Sequence, residues 1–343
     1  MLYFSYMEEA IKQFHTQFLW KASIVNAQKL HHFGTYILNG MGGSHLAADL
    51  LRTHKPELDL LVFSDYGIPK LSQERLKKSL FIASSFSGNT EEVLHFAEEV
   101  LAKKLPLAVI AKGGKLLDFA VKHTLPHIVL PPTKVQPRSG LGFQIVALAT
   151  LIGDSALVKE LTRLSSRLKP HTLEKQGKKL VADLRGKVPV IYSSAKNEAI
   201  AYNWKIKFNE TGKIPSFYNI FPELNHNEMT GFDVIATTES LSHKFHFIFL
   251  TDSTDHPQNR KRMQVTKKLY EDRGLSVTEV PLESTTPVSE DGNTPFTKGD
   301  GRLEKMFSSL LVADWTALHL SRIYGTEAEQ VPMVEEFKRL VSS

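Results

Sequence analysis

The chain has 343 residues, the length of two ordinary domains, and its 42% hydrophobic and 23% charged residues argue against global disorder. Its 42 Lys and Arg against 37 Asp and Glu leave a net charge of +5, a small excess that an anionic small ligand explains as well as nucleic acid would. The absence of cysteine excludes disulfides, cysteine nucleophiles, iron–sulfur clusters and cysteine-ligated zinc, and it fits a reducing cytosol.

The first 20 residues predict an amphipathic helix rather than a signal peptide, because Glu8, Glu9 and Lys12 interrupt their apolar pattern. The longest nearly apolar run, residues 141–152, is shorter than the roughly 20 residues that span a bilayer. We therefore expect a cytoplasmic protein that does not contact a membrane, with a buried helix at 141–152.

Apolar runs alternate with helical patterns in the first half of the chain. We predict strands at residues 36–38, 60–63, 80–83, 107–110 and 127–130, and helices at about 46–51, 91–103 and 141–152. This alternation is typical of a doubly wound α/β domain with a parallel sheet. Ligands of such domains bind beyond the carboxyl ends of the strands.

The second half repeats the pattern after a polar connecting helix at roughly 155–183. Strands are predicted at residues 188–192, 245–250 and 275–281, and helices at 197–208, 256–273, 303–324 and 332–341. The segment 283–302 is rich in Gly, Ser, Thr and Pro and predicts a long loop. We therefore predict an α/β protein of two domains, residues 1–153 and 154–343, each doubly wound with a parallel sheet flanked by helices.

Two loops rich in small residues follow predicted strands. The first contains Gly42, Gly43 and Ser44, but it fails the dinucleotide fingerprint because a histidine stands where the last glycine belongs. Its glycines still permit close approach to a ligand, and a tight turn without a ligand is the alternative.

The second loop places Ser85, Ser87 and Thr90 within six residues of a helix start. Three hydroxyls, a flexible Gly88 and the free N–H groups of a helix N-terminus are suited to a phosphate monoester. The alternative is an ordinary N-cap at Asn89 or Thr90, although one cap explains one hydroxyl rather than three.

Three further residues are candidates for catalysis. Arg138 follows the fifth predicted strand, where it either stabilises developing negative charge or forms a surface salt bridge. Glu210 ends the helix predicted at 197–208, and His226 lies in a loop shortly afterwards. Together they are candidates for an acid–base pair, whereas separately a solvated helix end and a turn histidine explain them.

Five motifs occur in order along the chain: GMGGS (40–44), SFSGNTEE (85–92), QPRSGLG (136–142), NETGKIP (209–215) and FPELNHNEM (221–229). In this combination the chain resembles the bifunctional phosphoglucose/phosphomannose isomerases of the sugar isomerase (SIS) superfamily, over about residues 36–340. The first two motifs occur in all SIS domains, and the last is specific to this family. The resemblance implies two SIS domains and an aldose–ketose isomerase that links glucose 6-phosphate and mannose 6-phosphate to fructose 6-phosphate. It implies a cis-enediol route that uses neither a metal nor a cofactor.

The same resemblance implies a role for each candidate residue. Glu210 would move a proton between C1 and C2, and Arg138 would stabilise the enediolate. His226, from the partner subunit of a homodimer with a shared active site, would assist ring opening together with Lys338. The substrate-binding residues would be Gly42, Gly43, Ser44, Ser85, Ser87 and Thr90. No nucleic-acid partner is implied.

The chain departs from the family pattern at three points. His45, Ala47 and Ala48 stand where the first loop usually continues with further glycines, the segment 283–302 is long for the family, and the third point is Val331. Val331 stands where a threonine is associated with tolerance of both epimers, so the expected use of mannose 6-phosphate depends on a valine that has the shape of threonine without its hydroxyl. Lys298, in the predicted loop, is a second candidate for the role of Lys338. Another phosphosugar isomerase and a non-catalytic SIS-domain binder or sensor remain as alternatives, and a sensor would need neither Glu210 nor His226.

Overall fold

The computed structural model describes residues 3–283 and 300–341, which fall into two compact units. Each unit contains one β-sheet and is named after it. Within these residues the first-sheet unit comprises 13–168 and 300–303, and the second-sheet unit comprises 3–12, 169–283 and 304–341. This division differs from the domain boundary predicted between residues 153 and 154. The helix Ser155–Arg167 belongs to the first-sheet unit, and the helix Tyr3–Lys12 belongs to the second-sheet unit.

The helices of the described residues are α1 (Tyr3–Lys12), α2 (Gly43–His54), α3 (Gln73–Lys78), α4 (Glu91–Ala102), α5 (Gly114–Lys122), α6 (Leu141–Leu151), α7 (Ser155–Arg167), α8 (Glu174–Leu184), α9 (Glu198–Glu210), α10 (Glu239–Ser242), α11 (Pro257–Glu271), α12 (Asp300–Tyr324) and α13 (Pro332–Val341). The strands are β1 (Thr35–Asn39), β2 (Asp59–Phe63), β3 (Ser79–Ser85), β4 (Leu107–Ala111), β5 (His127–Val129), β6 (Val188–Ser194), β7 (Phe217–Phe221), β8 (Phe245–Thr251) and β9 (Ser276–Pro281). Over this part of the chain, no helix is both long and apolar enough to cross a membrane.

The first sheet contains five parallel strands in the order β2-β1-β3-β4-β5. Every residue of β3 is buried, as expected for a central strand with helices on both faces. From β1 the chain adds β2 on one side and β3 on the other. The carboxyl ends of β1 and β3 therefore flank a switch point, where ligands bind in open α/β sheets.

The core of this unit explains why α4 forms where it does. Val93, Phe96 and Val100 recur at helical spacing, and each is fully buried. They pack against Phe81 and Val109 of the sheet. This packing fixes the start of α4 beside the loop that follows β3.

The second sheet contains four parallel strands in the order β7-β6-β8-β9. The connections from β6 to β7 and from β8 to β9 run in opposite directions across the sheet. Because such crossovers are right-handed, their helices α9 and α11 cover opposite faces. Tyr192, Phe247, Met263 and Tyr270 form the core on the α11 face.

The prediction of two α/β units with parallel sheets flanked by helices is confirmed. The short helices α3, α5 and α10 were not among the predicted elements, and three further details differ. The predicted helix at 155–183 is two helices, since Pro170 lacks the N–H that an uninterrupted helix requires there. The strand β7 was not predicted, because this edge strand is only partly buried and lacks a continuous apolar run. Of the predicted loop at 283–302, residues 284–299 lie outside the described residues, and residues 300–302 belong to α12.

Candidate active site

The switch point of the first sheet brings together the two loops rich in small residues. Ser44 is the second residue of α2, and its Oγ accepts a hydrogen bond of 2.9 Å from the backbone N–H of Phe86. The Ser84 hydroxyl donates to the backbone oxygen of Ser44 at 3.1 Å. These two bonds fasten the start of α2 to the loop that follows β3.

The hydroxyls of this second loop are arranged differently from an ordinary helix cap. The Ser85 Oγ lies 2.7 Å from the Thr90 Oγ1 and accepts the backbone N–H of Gly88 at 3.0 Å. Thr90 is the N-cap of α4, but its side chain makes no capping bond. The Ser87 side chain is exposed and accepts the N–H of Asn89 at 3.3 Å. An N-cap alone therefore does not account for the three hydroxyls.

Gly88 is required by the shape of this loop. Its φ is +75°, and a Cβ there would lie 1.6 Å from the backbone oxygen of Gly113. The N–H of Leu116 donates to the Gly88 oxygen at 2.9 Å, and that of Lys115 donates to the Asn89 side chain at 3.1 Å. The first turn of α5 thus holds the loop Ser85–Thr90, the hydroxyl loop, in place.

Arg138 lies in the 3₁₀ turn Pro137–Ser139 and is 1% exposed, so it is not the surface salt bridge that the sequence left open. Gly42 has a φ of +50° and caps α2, and Gly43 lets this helix approach the turn. A Cβ at Gly43 would lie 2.7 Å from the Pro137 Cβ and 2.9 Å from the Arg138 nitrogen. The structure thus places Arg138 beside the helix that begins with Gly43 and Ser44.

Two glutamines that sequence reasoning did not identify hold the Arg138 turn. The Gln17 amide donates to the Ser139 oxygen at 2.8 Å, and the Gln144 amide donates to the Pro137 oxygen at 2.9 Å. Both residues are buried. The sequence did mark Gln144 as unusual, because its amide interrupts the apolar run 141–152.

Glu210 is the last residue of α9 and is half-buried. Trp204 attaches this helix to α12, because its indole N–H donates to the Ser309 hydroxyl at 2.9 Å. One turn before Glu210, the Lys207 ammonium pairs with Asp314 at 2.7 Å, and both side chains are buried. These contacts of α9 with α12 set the direction in which Glu210 leaves the helix.

His226 ends the 3₁₀ turn Glu223–His226, and its side chain is exposed. Within the described residues, its ring makes no hydrogen bond or ion pair. The loop around it is anchored, because the Asn225 amide donates to the Thr266 hydroxyl at 2.8 Å. The Asn227 amide donates to the Glu223 carboxylate at 2.8 Å. The histidine is thus presented to solvent by a fixed loop.

Glu228 holds this loop to the second sheet. The hydroxyl of Tyr192 and the amide of Asn219 each donate to one of its carboxylate oxygens. Burial raises the pKa of the Tyr192 phenol far above its usual value, and it raises the pKa of Tyr270 to about 12. Both phenols therefore stay protonated, and Tyr192 remains a donor at any physiological pH.

The structure does not bring Glu210 and His226 together in one chain. Glu210 ends α9, on one face of the second sheet. The His226 loop packs on the other face, since Leu224 belongs to the core that contains Met263 and Tyr270 of α11. The acid–base pair that the sequence suggested is therefore not formed by one copy of this unit.

Lys338 lies on α13, where its ammonium donates to the Glu335 carboxylate at 2.8 Å. Val331 directly precedes this helix, and its backbone oxygen accepts the N–H groups of residues 334 and 335. Lys298 lies outside the described residues. The apolar side chains of α13 are exposed: Met333, Val334, Phe337, Leu340 and Val341.

Comparison with known proteins gives a consistent result over most of the chain. Residues 173–291 and 293–341 match the family described as "Bacterial phospho-glucose isomerase C-terminal SIS domain". A bifunctional phosphoglucose/phosphomannose isomerase of Caldicellulosiruptor bescii is 33% identical over 322 residues, which cover 88% of each chain. One of Aquifex aeolicus is 30% identical and covers 97% of this chain and 98% of its own.

Solved structures show the same fold. The crystal structure of tagatose-6-phosphate ketose/aldose isomerase from Escherichia coli has a TM-score of 0.66 at 17% identity, over 94% of both chains. The two relatives above match nearly full length at 30% identity or more. The resemblance inferred from the five motifs is therefore confirmed, and the chain belongs to the family of bifunctional phosphoglucose/phosphomannose isomerases.

Proposed function

We propose that the protein is an aldose–ketose isomerase that interconverts fructose 6-phosphate with glucose 6-phosphate and mannose 6-phosphate. The observation that carries this proposal is the match, over nearly the full length, to relatives whose names state both activities. The described site residues support it, because they supply a hydroxyl-rich loop, a buried arginine, a carboxylate at a helix end and an exposed histidine.

The substrate's 6-phosphate binds at the loop Ser85–Thr90. This loop opens α4, whose first N–H groups and positive dipole end favour an anion. The Ser87 hydroxyl is exposed, and Ser44 lies at the start of a second helix beside the same loop. Gly42 and Gly43 let the backbone approach the phosphate.

Glu210 carries the proton. It removes the C2 proton of the aldose and returns it to C1, so that the enediolate becomes the ketose. Arg138 stabilises the negative charge of that intermediate, since its guanidinium remains protonated at any working pH. Hydrogen moves as a proton in this route, so a redox cofactor is not needed, and the arginine supplies the positive charge that a metal would otherwise provide.

His226 assists ring opening from the partner subunit of a homodimer, together with Lys338. Two observations support this. Glu210 and His226 occupy opposite faces of the second sheet within one chain, so a shared site needs the histidine of another copy. The apolar side chains of α13 are exposed in the single chain, as expected for a surface that a subunit contact covers. A cytoplasmic location belongs to the same proposal.

The proposal is tested by one assay of the purified protein on fructose 6-phosphate, in which glucose 6-phosphate and mannose 6-phosphate are read separately. We expect both products, unchanged after exhaustive treatment with EDTA. If binding is seen without turnover, the protein is a sensor or binder. If EDTA abolishes activity and zinc restores it, the metal-free route is wrong. If mannose 6-phosphate alone is missing, Val331 becomes the first position to replace by threonine.

A further inference from the structure

The end of α9 contains a lysine with no role in the function proposed above. Lys213 follows Glu210 by three residues and has a φ of +57°, which a side-chain-bearing residue adopts only at a cost. The N–H groups of Thr211 and Gly212 both return to the Lys207 oxygen, at 2.9 and 3.1 Å, and that of Ile214 returns to the Phe208 oxygen at 3.3 Å. The chain therefore reverses sharply at Lys213.

The Lys213 ammonium donates to two backbone oxygens, those of Glu210 and Gln330. The Glu210 oxygen is among the last carbonyls of α9, which have no partner within their own helix. A cation there also complements the negative end of the helix dipole. The first of these bonds therefore ties the lysine to the backbone of the residue that carries the proton.

The second bond reaches a part of the connection between α12 and α13 that is itself held by hydrogen bonds. The Glu327 carboxylate accepts the N–H of Glu329 at 2.7 Å and that of Gln330 at 2.5 Å. Ala328, between these residues, is buried. Gln330 directly precedes Val331, where α13 begins to form its backbone bonds. Its carbonyl thus has a fixed position from which to hold the lysine.

We propose that Lys213 is a positioning residue that fixes the carboxylate of Glu210 relative to the start of α13. This inference rests on the proposed role of Glu210 as the proton carrier. Without the bridge, the end of α9 and the segment 327–331 lose their shared anchor. Proton transfer depends on near-contact geometry, and a misplacement of about 1 Å can cost about 100-fold in rate.

The test compares three variants. Lys213→Met keeps the length of the side chain and removes the ammonium. Lys213→Gly also removes the ammonium and is better suited than lysine to the positive φ, so backbone strain does not explain any loss that it shows. Lys213→Arg keeps a cation that can reach two carbonyls. The matched control is Lys187→Met, because the Lys187 ammonium also donates to a backbone oxygen of this unit, that of His243 at 2.7 Å.

We expect kcat on fructose 6-phosphate to fall about 10- to 100-fold in Lys213→Met and Lys213→Gly, with KM within a few-fold of the wild type. Lys213→Arg should recover much of the loss, and Lys187→Met should retain wild-type kcat. Because α13 begins beside the bridge, the ratio of mannose 6-phosphate to glucose 6-phosphate should also change in the first two variants. A merely structural lysine would lower the melting temperature and leave kcat and this ratio unchanged.

The inference is overturned if Lys213→Gly keeps wild-type kcat and product ratio, or if its kcat falls no more than that of the Lys187→Met control. These outcomes differ from a failure of the proposed function. In that case the wild-type protein itself would not isomerise fructose 6-phosphate, or Glu210→Gln would remain active.

Discussion

The hydroxyl side chains in the loop after β3 differ in their exposure and in their hydrogen bonds. Ser85 is 1% exposed, and its oxygen is engaged by Thr90 and by the N–H of Gly88, so it shapes the loop. Ser87 is exposed and accepts one bond of 3.3 Å, so its own hydrogen can be donated to an incoming phosphate. The sequence could show that three hydroxyls were present, because they are local. It could not show this division of tasks, which depends on how the loop folds.

Ser87→Ala should raise KM for the sugar phosphate more than it lowers kcat. The phosphate is distant from the reacting carbons, so the lost bond contributes equally to ground-state and transition-state binding. A hydrogen bond to a charged group is worth about 1.5–3 kcal/mol, which is about 10- to 100-fold in KM. Steady-state kinetics check this, with Ser79→Ala at the other end of β3 as the control. An unchanged KM would place the phosphate elsewhere.

Glu210→Gln should lower kcat by at least the roughly 10²–10⁴-fold that general base catalysis supplies. Glutamine keeps the shape of the side chain and loses the base, so binding of a substrate-analogue inhibitor should stay within a few-fold. Exchange of the substrate's C2 hydrogen with solvent should disappear with turnover. Glu198→Gln, at the exposed start of the same helix, is the control. If Glu228→Gln is the inactive variant instead, the base is misassigned.

At the scale of elements, α9 shows what local patterns miss. Its extent was predictable from its sequence, but its orientation depends on Ser309 and Asp314, which lie more than 100 residues away. The same holds for the turn of Arg138, which is anchored by Gln17 from 122 residues away. The motifs therefore located the candidate residues, whereas the contacts that aim them are long-range and became visible only in the fold.

The ion pair of Lys207 with Asp314 makes a prediction about stability. Both side chains are nearly inaccessible, at 2% and 4% exposed, so Lys207→Met leaves a buried carboxylate without its cation. This should cost about 3–5 kcal/mol in the free energy of unfolding. Adding Asp314→Asn should recover part of the loss, because a buried negative charge no longer remains. Denaturant unfolding of the two variants checks this, and a double variant less stable than Lys207→Met would contradict it.

The helix α1 predicts a pH dependence. Hydrogen bonds from Lys12 and Arg322 lower the pKa of Glu8 from 4.5 to about 2. Between these values the unfolded chain takes up a proton that the folded chain does not, so the contribution of Glu8 is present above about pH 4.5 and is lost as the pH falls towards 2. Its size should be at most about 1 kcal/mol, because the pair is partly exposed.

Melting temperatures of the wild type and of Glu8→Gln should therefore differ at pH 7 and converge as the pH falls from 4.5 towards 2. Glu9→Gln, an exposed neighbour, should show neither the difference nor the convergence. A difference that grows as the pH falls would contradict the assignment.

At the scale of the whole molecule, the two sheets share one strand order. The order β7-β6-β8-β9 repeats β2-β1-β3-β4, although the sequence predicted only the alternation of strands and helices and not the strand β7. The candidate site residues are divided between the two sheets. The hydroxyl loop and Arg138 belong to the first sheet, and Glu210 and the His226 loop to the second. The topology of the second sheet separates Glu210 from His226, a result that residue spacing could not reveal because only 16 positions separate them in the sequence.

The most direct test of the account uses a heterodimer with one Glu210→Gln chain and one His226→Asn chain, purified through two different affinity tags. If a site takes Glu210 from one chain and His226 from its partner, one site of this heterodimer holds both mutations and the other holds neither. The heterodimer should therefore regain about half of the wild-type activity, although each variant homodimer is nearly inactive. If the heterodimer is no more active than the mean of the two homodimers, the two residues do not act together across subunits, and the shared active site is contradicted.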